Sequence, residues 1–170
     1  AMNAYETIPQ LSKMLDNLSR WLEAGEAYAK KKNVDPKVLL DARLFIDQYP
    51  LYRQVQAACD AAKFVGARGA NKEAPKHPDD PQDVPQLRGR IAEVRAFLEG
   101  LKESDFANAA TTKVPLPWMP GKGLVGRDYV AQLAIPNFFF HVTTAYSILR
   151  HTGVEIGKAD YIGNLNFIDV

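Results

Sequence analysis

At 170 residues, with 46% hydrophobic and 24% charged side chains, the chain has the composition of a soluble globular protein and the length for one domain, residues 1–170, with a sizeable core. A net charge of +1, from 21 basic and 20 acidic residues, leaves no global field to gather nucleic acid or an anionic membrane. The single cysteine, Cys59, excludes an intrachain disulfide and fits a reducing compartment.

No apolar run is long enough for a transmembrane helix. The N-terminus lacks a basic start followed by an apolar block, so no signal peptide is read, and Ala1 ahead of Met2 reads as an added residue. Thr7-Ile8-Pro9-Gln10 then predicts a helix start: Thr7 caps, Pro9 sits in the first turn, and Gln10 completes a capping box. Leu11, Met14, Leu15, Leu18, Trp21, Leu22 and Tyr28 follow at helical spacing, and Lys30-Lys31-Lys32 suits the negative end of the helix dipole. Asp35-Pro36 predicts a short helix through about Leu44. Pro50 opens the second long helix, with Leu51, Val55, Ala58, Cys59, Ala62 and Val65 inward and fraying expected at Gly66 and Gly69.

Residues 71–83 carry Pro75, Pro78 and Pro81 and read as the most mobile loop. Asp83-Val84-Pro85-Gln86 repeats the capping box. Leu87, Ile91, Val94, Leu98 and Leu101 form a bundle seam behind it. From Thr111 to Val125 the pattern changes to Val114, Leu116 and Trp118 around Pro115 and Pro117, which predicts a short hairpin turning at Gly121-Lys122-Gly123. A helix start at Gly126-Arg127-Asp128 runs to about Leu133. Pro136 then kinks or restarts it into the last long helix, which ends at Gly153. Four long helices with short additions predict an all-α fold, an antiparallel four-helix bundle with a hairpin before the last helix.

Phe138, Phe139 and Phe140 point about 100° apart on that helix, so they cannot all face one core. The bundle, the hairpin and a second subunit are the expected covers, which points to a homodimer. Gly157, Lys158, Asp160 and Tyr161 predict a turn that docks the apolar tail of Ile162, Leu165, Phe167, Ile168 and Val170, and this tail is a second candidate for the dimer contact.

The polar residues of the last helix are the candidate site. Asn137, His141, Thr144 and Ile148 fall on one face, at steps of four, three and four. His141 is a metal ligand or general base fed by Asp60, or else a core histidine satisfied by a carboxylate or backbone carbonyl. The second is the more economical. Metal spacing is poor. Asn137 and Ala145 flank His141 at −4 and +4, and neither suits a transition metal. The other histidines are His77, expected to be exposed in the proline loop, and His151, at a helix C-terminus where its charge meets the dipole. Cys59 on an apolar face reads as a small hydrophobe rather than a nucleophile. Thr143 and Thr144 read as threonines that bond back to the preceding turn, and Tyr146 lies away from His141. Gly121 to Gly126 spells G-x-G-x-x-G, but without a βαβ context or a ribose-binding acid it reads as a turn.

With Tyr49-Pro50-Leu51, Cys59-Asp60-Ala61-Ala62-Lys63 and the block from Leu133 to Gly163, the chain resembles an uncharacterised bacterial family labelled a domain of unknown function, within the DinB/YfiT-like superfamily. The resemblance covers nearly the whole chain. It implies a cytoplasmic, commonly dimeric bundle. Metal-binding relatives in the superfamily use three histidines, one on the second helix and a pair four apart on the last. Carried over, Asp60 falls near the first position and Asn137 and His141 on the pair. That leaves one histidine of three, at most a weak site for a divalent metal (zinc or nickel), and a lost site is the reading adopted. The expectation is therefore a homodimer with a small buried polar pocket around His141, made of Asp60, Asn137, His141 and Thr144 and open to a small-molecule ligand, and a degenerate or absent metal site. The alternative is a metal- or thiol-dependent transferase or isomerase acting on a small electrophile, with His141 and Asp60 as its catalytic candidates.

Overall fold

Asn3 starts the first helix, one turn before the expected Thr7. The computed structural model describes residues 3–170, so the reading of Ala1 lies outside the described residues. Helix α1 spans Ala4–Lys31. The Asn3 side chain accepts the Tyr5 N–H at 3.1 Å, and Glu6 accepts the Asn3 N–H at 3.3 Å. That reciprocal box satisfies two otherwise unbonded donors. Thr7, left inside the helix, donates instead to the Ala4 carbonyl at 2.7 Å, and Pro9 is an interior residue.

Helix α2 is shorter than expected, Lys37–Leu40. It stops at its last buried residue because the chain turns there. The Ala42 carbonyl accepts the N–H of Leu51 at 2.9 Å, opening the next helix. Helix α3 runs Leu51–Ala70, and the six positions expected inward are all buried. It does not fray at Gly66 or Gly69. A Cβ at Gly66 would lie 2.7 Å from Leu101, and one at Gly69 would lie 2.7 Å from Phe106. These glycines let neighbouring side chains approach the helix backbone. Helix α4, Val84–Glu99, has the expected Asp83–Gln86 box, with the Gln86 N–H donated to Asp83 at 2.8 Å.

Strands β1 (Lys113–Pro115) and β2 (Gly123–Val125) pair antiparallel, with Val114 opposite Leu124, and Val114 is buried in the core. Helix α5, Gly126–Asp128, continues through a wide π turn, Tyr129–Ala134, into α6, Ile135–His151. Pro136 stands in the first turn of α6, so the last long helix restarts there as expected. The Ile135 N–H reaches five residues back to Val130, and the widened turn absorbs the bond that a proline cannot make. Gly153, at φ +100°, ends α6, and the Val154 N–H returns to the Leu149 carbonyl at 3.0 Å. A short α7, Lys158–Ile162, follows.

Helices α1, α4, α3 and α6 form the bundle in that order around a square, with α1 and α3 across its short diagonal. Leu11, Leu15, Leu18, Val55, Cys59, Leu87, Val94, Leu98, Phe138 and Ile148 share one core. The three phenylalanines divide as their geometry requires. Phe138 is fully buried, Phe139 is half-buried, and Phe140 is 53% exposed. Helix α7 is docked on α1: Asn17 donates to the Tyr161 carbonyl at 3.0 Å, Trp21 donates to that of Asp160 at 3.2 Å, and the Trp21 and Tyr161 rings stack. The tail beyond it departs from expectation. Leu165, Phe167, Ile168 and Val170 are all exposed, so the turn docks itself and not the tail. No helix among the described residues is long and apolar enough to cross a membrane.

Candidate functional site

His141 lies at the inner face of α6, about two turns beyond the π segment, with its ring turned toward the start of α3. Its Nδ1 is 2.7 Å from Oε1 of Gln54. The partner is thus Gln54 and not Asp60. The two are six positions apart on α3, about 120° around the helix, so they cannot serve the same neighbour. Gln54 sits three residues after Leu51, on the buried face, and is 1% exposed. A polar residue at a core position was the signal for it.

The hydrogen bonds fix the chemistry of the imidazole. The Gln54 amide NH₂ donates to the Tyr49 carbonyl at 3.1 Å. A carbonyl can only accept, so Oε1 is the end that faces His141, and Nδ1 must carry the proton. That leaves Nε2 with a lone pair. Among the described residues Nε2 has no hydrogen-bond partner, and it is not one of the side-chain atoms sealed without one. It is therefore a base that reaches solvent. Burial, reinforced by the nearby Arg53 cation and only partly opposed by Asp60, holds the ring below the ordinary histidine range. Neutral imidazole is the resting form at pH 7. Tyr49 lies nearly parallel to the ring at 6.3 Å, and Phe140 meets it edge-on at 5.2 Å. Arg53 in turn lies over the Tyr49 ring at 5.4 Å.

The other expected site residues do not join His141 through hydrogen bonds. Asn137 is exposed and its side chain makes no hydrogen bond among the described residues. Thr144 donates to the Phe140 carbonyl at 2.7 Å, the ordinary use of a mid-helix threonine. Asp60 faces α4. Its Oδ1 accepts from Arg90 at 2.8 Å and from Lys63 at 2.8 Å, and its Oδ2 is 4.0 Å from Arg53. Cys59, beside it, is sealed, and burial pushes its thiol up to about 12. His151 is exposed in the last turn of α6, as expected. His77 is not exposed as expected: its side chain is only 6% accessible. Nothing around Lys76-His77-Pro78 announced this, because the groups that cover it come from α3 and α4.

The metal that the superfamily resemblance implies finds no fitting donor set. Among the described residues no three His, Cys, Asp or Glu side chains converge as a metal-holding group. Against His141 stands an amide, which suits a transition metal poorly, and the Asp60 carboxylate is already held by two cations. A cleft of about 450 Å³, lined by Pro36, Leu40, Tyr52, Pro81 and Val84 among others, includes neither His141 nor Asp60. Carboxylates such as Glu26 and Asp35 also line it, but no histidine does, so it offers no neutral nitrogen base of the kind His141 presents.

A family model described as "domain of unknown function (DUF1993)" matches residues 5–162. No curated protein matches the chain. The crystal structure of a DinB family member from Shewanella denitrificans is similar at 49% identity, covering 98% of this chain and 95% of that one, with a TM-score of 0.93.

Proposed function

The chain belongs to the DUF1993 family of unknown function and has the DinB-family fold, and from that premise we propose that it is a cytoplasmic homodimer that binds a small molecule over His141 without a transition metal. The observation that carries this reading is the 2.7 Å contact of His141 Nδ1 with Gln54. It presents Nε2 as a neutral acceptor between two aromatic walls, Tyr49 and Phe140. Such a site suits a small, uncharged molecule with an apolar body and one O–H or N–H donor. The metal- or thiol-dependent transferase reading lacks an anchor. Asp60 is engaged by Arg90 and Lys63, the exposed Asn137 makes no side-chain hydrogen bond among the described residues, and a thiol pushed up to about 12 supplies no thiolate at neutral pH.

The test is ¹⁵N NMR of the imidazoles. His141 is expected to be the Nδ1–H tautomer at pH 7 and to titrate below about 6.5. Its folded value is lowered, so its contribution to stability is complete above that pH and is lost as the pH falls through the window beneath it. Gln54→Leu is expected to release the tautomer and to cost about 1–3 kcal/mol, because Nδ1–H and the Tyr49 carbonyl lose their partner. Dialysis against nickel or zinc followed by elemental analysis is the companion experiment. A stoichiometric, chelator-resistant metal would overturn the metal-free reading.

Support for the homodimer is the apolar surface beside the pocket. Phe45 and Ile46, in the segment that leads into Tyr49, are 64% and 86% exposed, and Phe140 is 53% exposed; monomers rarely leave large apolar surface uncovered. Phe140, rather than the half-buried Phe139, is the residue to change. Phe140→Glu, and truncation after Gly163, are each expected to lower the mass measured by light scattering at micromolar concentration. A wild-type monomer at that concentration would end the dimer reading, and unchanged masses would move the interface elsewhere.

A further inference from the structure

Residues 71–83 have no regular secondary structure, yet they are tied to the bundle along their length. Gln56 on α3 donates to the Asp80 carbonyl at 2.8 Å and to the Gln82 side chain at 3.0 Å. Arg90 on α4 donates to the Pro78 carbonyl at 2.6 Å, and Arg53 donates to Asp79 at 2.8 Å. His77 sits at the centre. Its Nδ1 is 3.3 Å from Nζ of Lys63, and its Nε2 is 3.0 Å from Oε2 of Glu93.

These partners settle the state of the ring. An ammonium has no lone pair, so Nδ1 must accept from Lys63. A carboxylate has no proton to give, so Nε2 must donate to Glu93. His77 is thus a neutral imidazole bridging a buried cation on α3 to a carboxylate on α4. A second proton could enter only at Nδ1, where it would face the Lys63 ammonium. We propose that residues 71–83 are a pH-gated strap, latched across α3 and α4 by neutral His77 and released when that ring takes a second proton.

The charges around the ring favour the neutral form. From α3, Lys63 opposes a second proton directly, and Asp60 holds Lys63 in place. From α4, Arg90 opposes it and Glu93 favours it. On the strap, Asp79 is engaged with Arg53, and Lys76 pairs with Glu73 at the exposed surface. Burial is the largest influence, and together with Lys63 and Arg90 it outweighs Glu93, holding His77 below the ordinary histidine range. The sign follows. The latch is complete above about pH 6.5 and is lost as the pH falls below it. The protonated ring keeps Glu93 and leaves Lys63, which carries the strap outward. Release would also take Asp79 from Arg53, whose guanidinium lies over Tyr49 beside His141. The strap stands on its own contacts and does not depend on the pocket reading.

The experiment is a pH titration of ¹⁵N-labelled protein from 7.5 to 5, reading the His77 imidazole and the backbone order of residues 73–80. The Nε2–H tautomer is expected at pH 7.5, with a midpoint below about 6.5. Order parameters in the strap should fall from about 0.85 toward 0.6 with that same midpoint. His77→Gln should abolish the step, leaving the strap's order independent of pH. Because that change also alters the latch, Lys63→Met gives an independent reading: without the opposing ammonium, the His77 midpoint should rise by about one pH unit. A ring already charged at pH 7.5 would overturn the proposal. So would a strap whose order ignores the His77 midpoint, or a Lys63→Met midpoint that stays in place.

Discussion

Asp60→Ala is expected to cost about 3–5 kcal/mol, a large part of the ~5–15 kcal/mol that holds a domain together. The reason is what it would leave behind. The side chains of Arg90 and Lys63 are 1% and 6% exposed, and each has Asp60 Oδ1 at 2.8 Å. Without the carboxylate, two buried cations would face each other with only the Pro78 carbonyl and the neutral His77 to receive them. Arg90 already carries one sealed atom, Nε, without a partner, so the site has no slack to rearrange into. Urea unfolding at pH 7 measures the loss. Asp60→Asn keeps an acceptor but no charge and should fall between alanine and wild type. Removing the cations as well, as Asp60→Ala with Lys63→Met and Arg90→Met, should recover most of the loss, since apolar groups of similar volume often replace buried ion pairs at little cost. A loss below about 1 kcal/mol for Asp60→Ala would remove Asp60 as the keystone of this cluster and return it to the list of candidate site residues.

Phe138→Ala should be comparably damaging, at about 3–5 kcal/mol, while Phe140→Ala should stay within about 0.5 kcal/mol in the monomer. The two rings lie two residues apart on one helix, yet Phe138 is fully buried and Phe140 is 53% exposed. Phe138 also meets Phe139 edge-on at 5.3 Å, a contact that the truncation removes along with the core packing. The thermal midpoint should fall by roughly 6–20 °C for Phe138→Ala in a chain of this length and hardly move for Phe140→Ala. Unfolding at low protein concentration separates the folding effect from self-association, which Phe140→Ala should weaken. Equal losses for the two would mean that Phe140 is covered within its own chain.

The core of this protein was legible in the sequence because helical periodicity is a local property. Leu11 to Leu22, Leu51 to Val65 and Leu87 to Leu98 each mark their buried face by spacing alone, and all of those named as inward are buried. The Asp83–Gln86 box, the hairpin around Gly121 and the helix end at Gly153 were legible for the same reason: each is a preference satisfied within a few residues. Asn3 and Glu6 carried the same kind of signal and outcompeted Thr7 and Gln10. Pro136 carried a local signal too, and α6 restarts around it at Ile135, but the π turn that joins it to the helix before was not legible.

Tertiary structure decided which polar residues meet. The helix wheel placed His141 at the buried edge of α6, but it could not choose between Gln54 and Asp60. That choice depends on how α3 is rotated against α6, and the rotation is set by packing along both helices rather than by either sequence. Gln54 won the imidazole because it lies on the same face as Leu51 and Val55, while Asp60 turned to α4 and met Arg90. His77 shows the same limit more sharply. Its own neighbours, Lys76 and Pro78, describe an exposed loop, and only the approach of Lys63 and Glu93 from two separate helices makes it a buried, neutral bridge. The sequence by itself determined the helices, their apolar faces and the polar residue types available. The assembled bundle decided their partners, because a hydrogen bond between residues 87 positions apart, as between Gln54 and His141, exists only once the helices have docked.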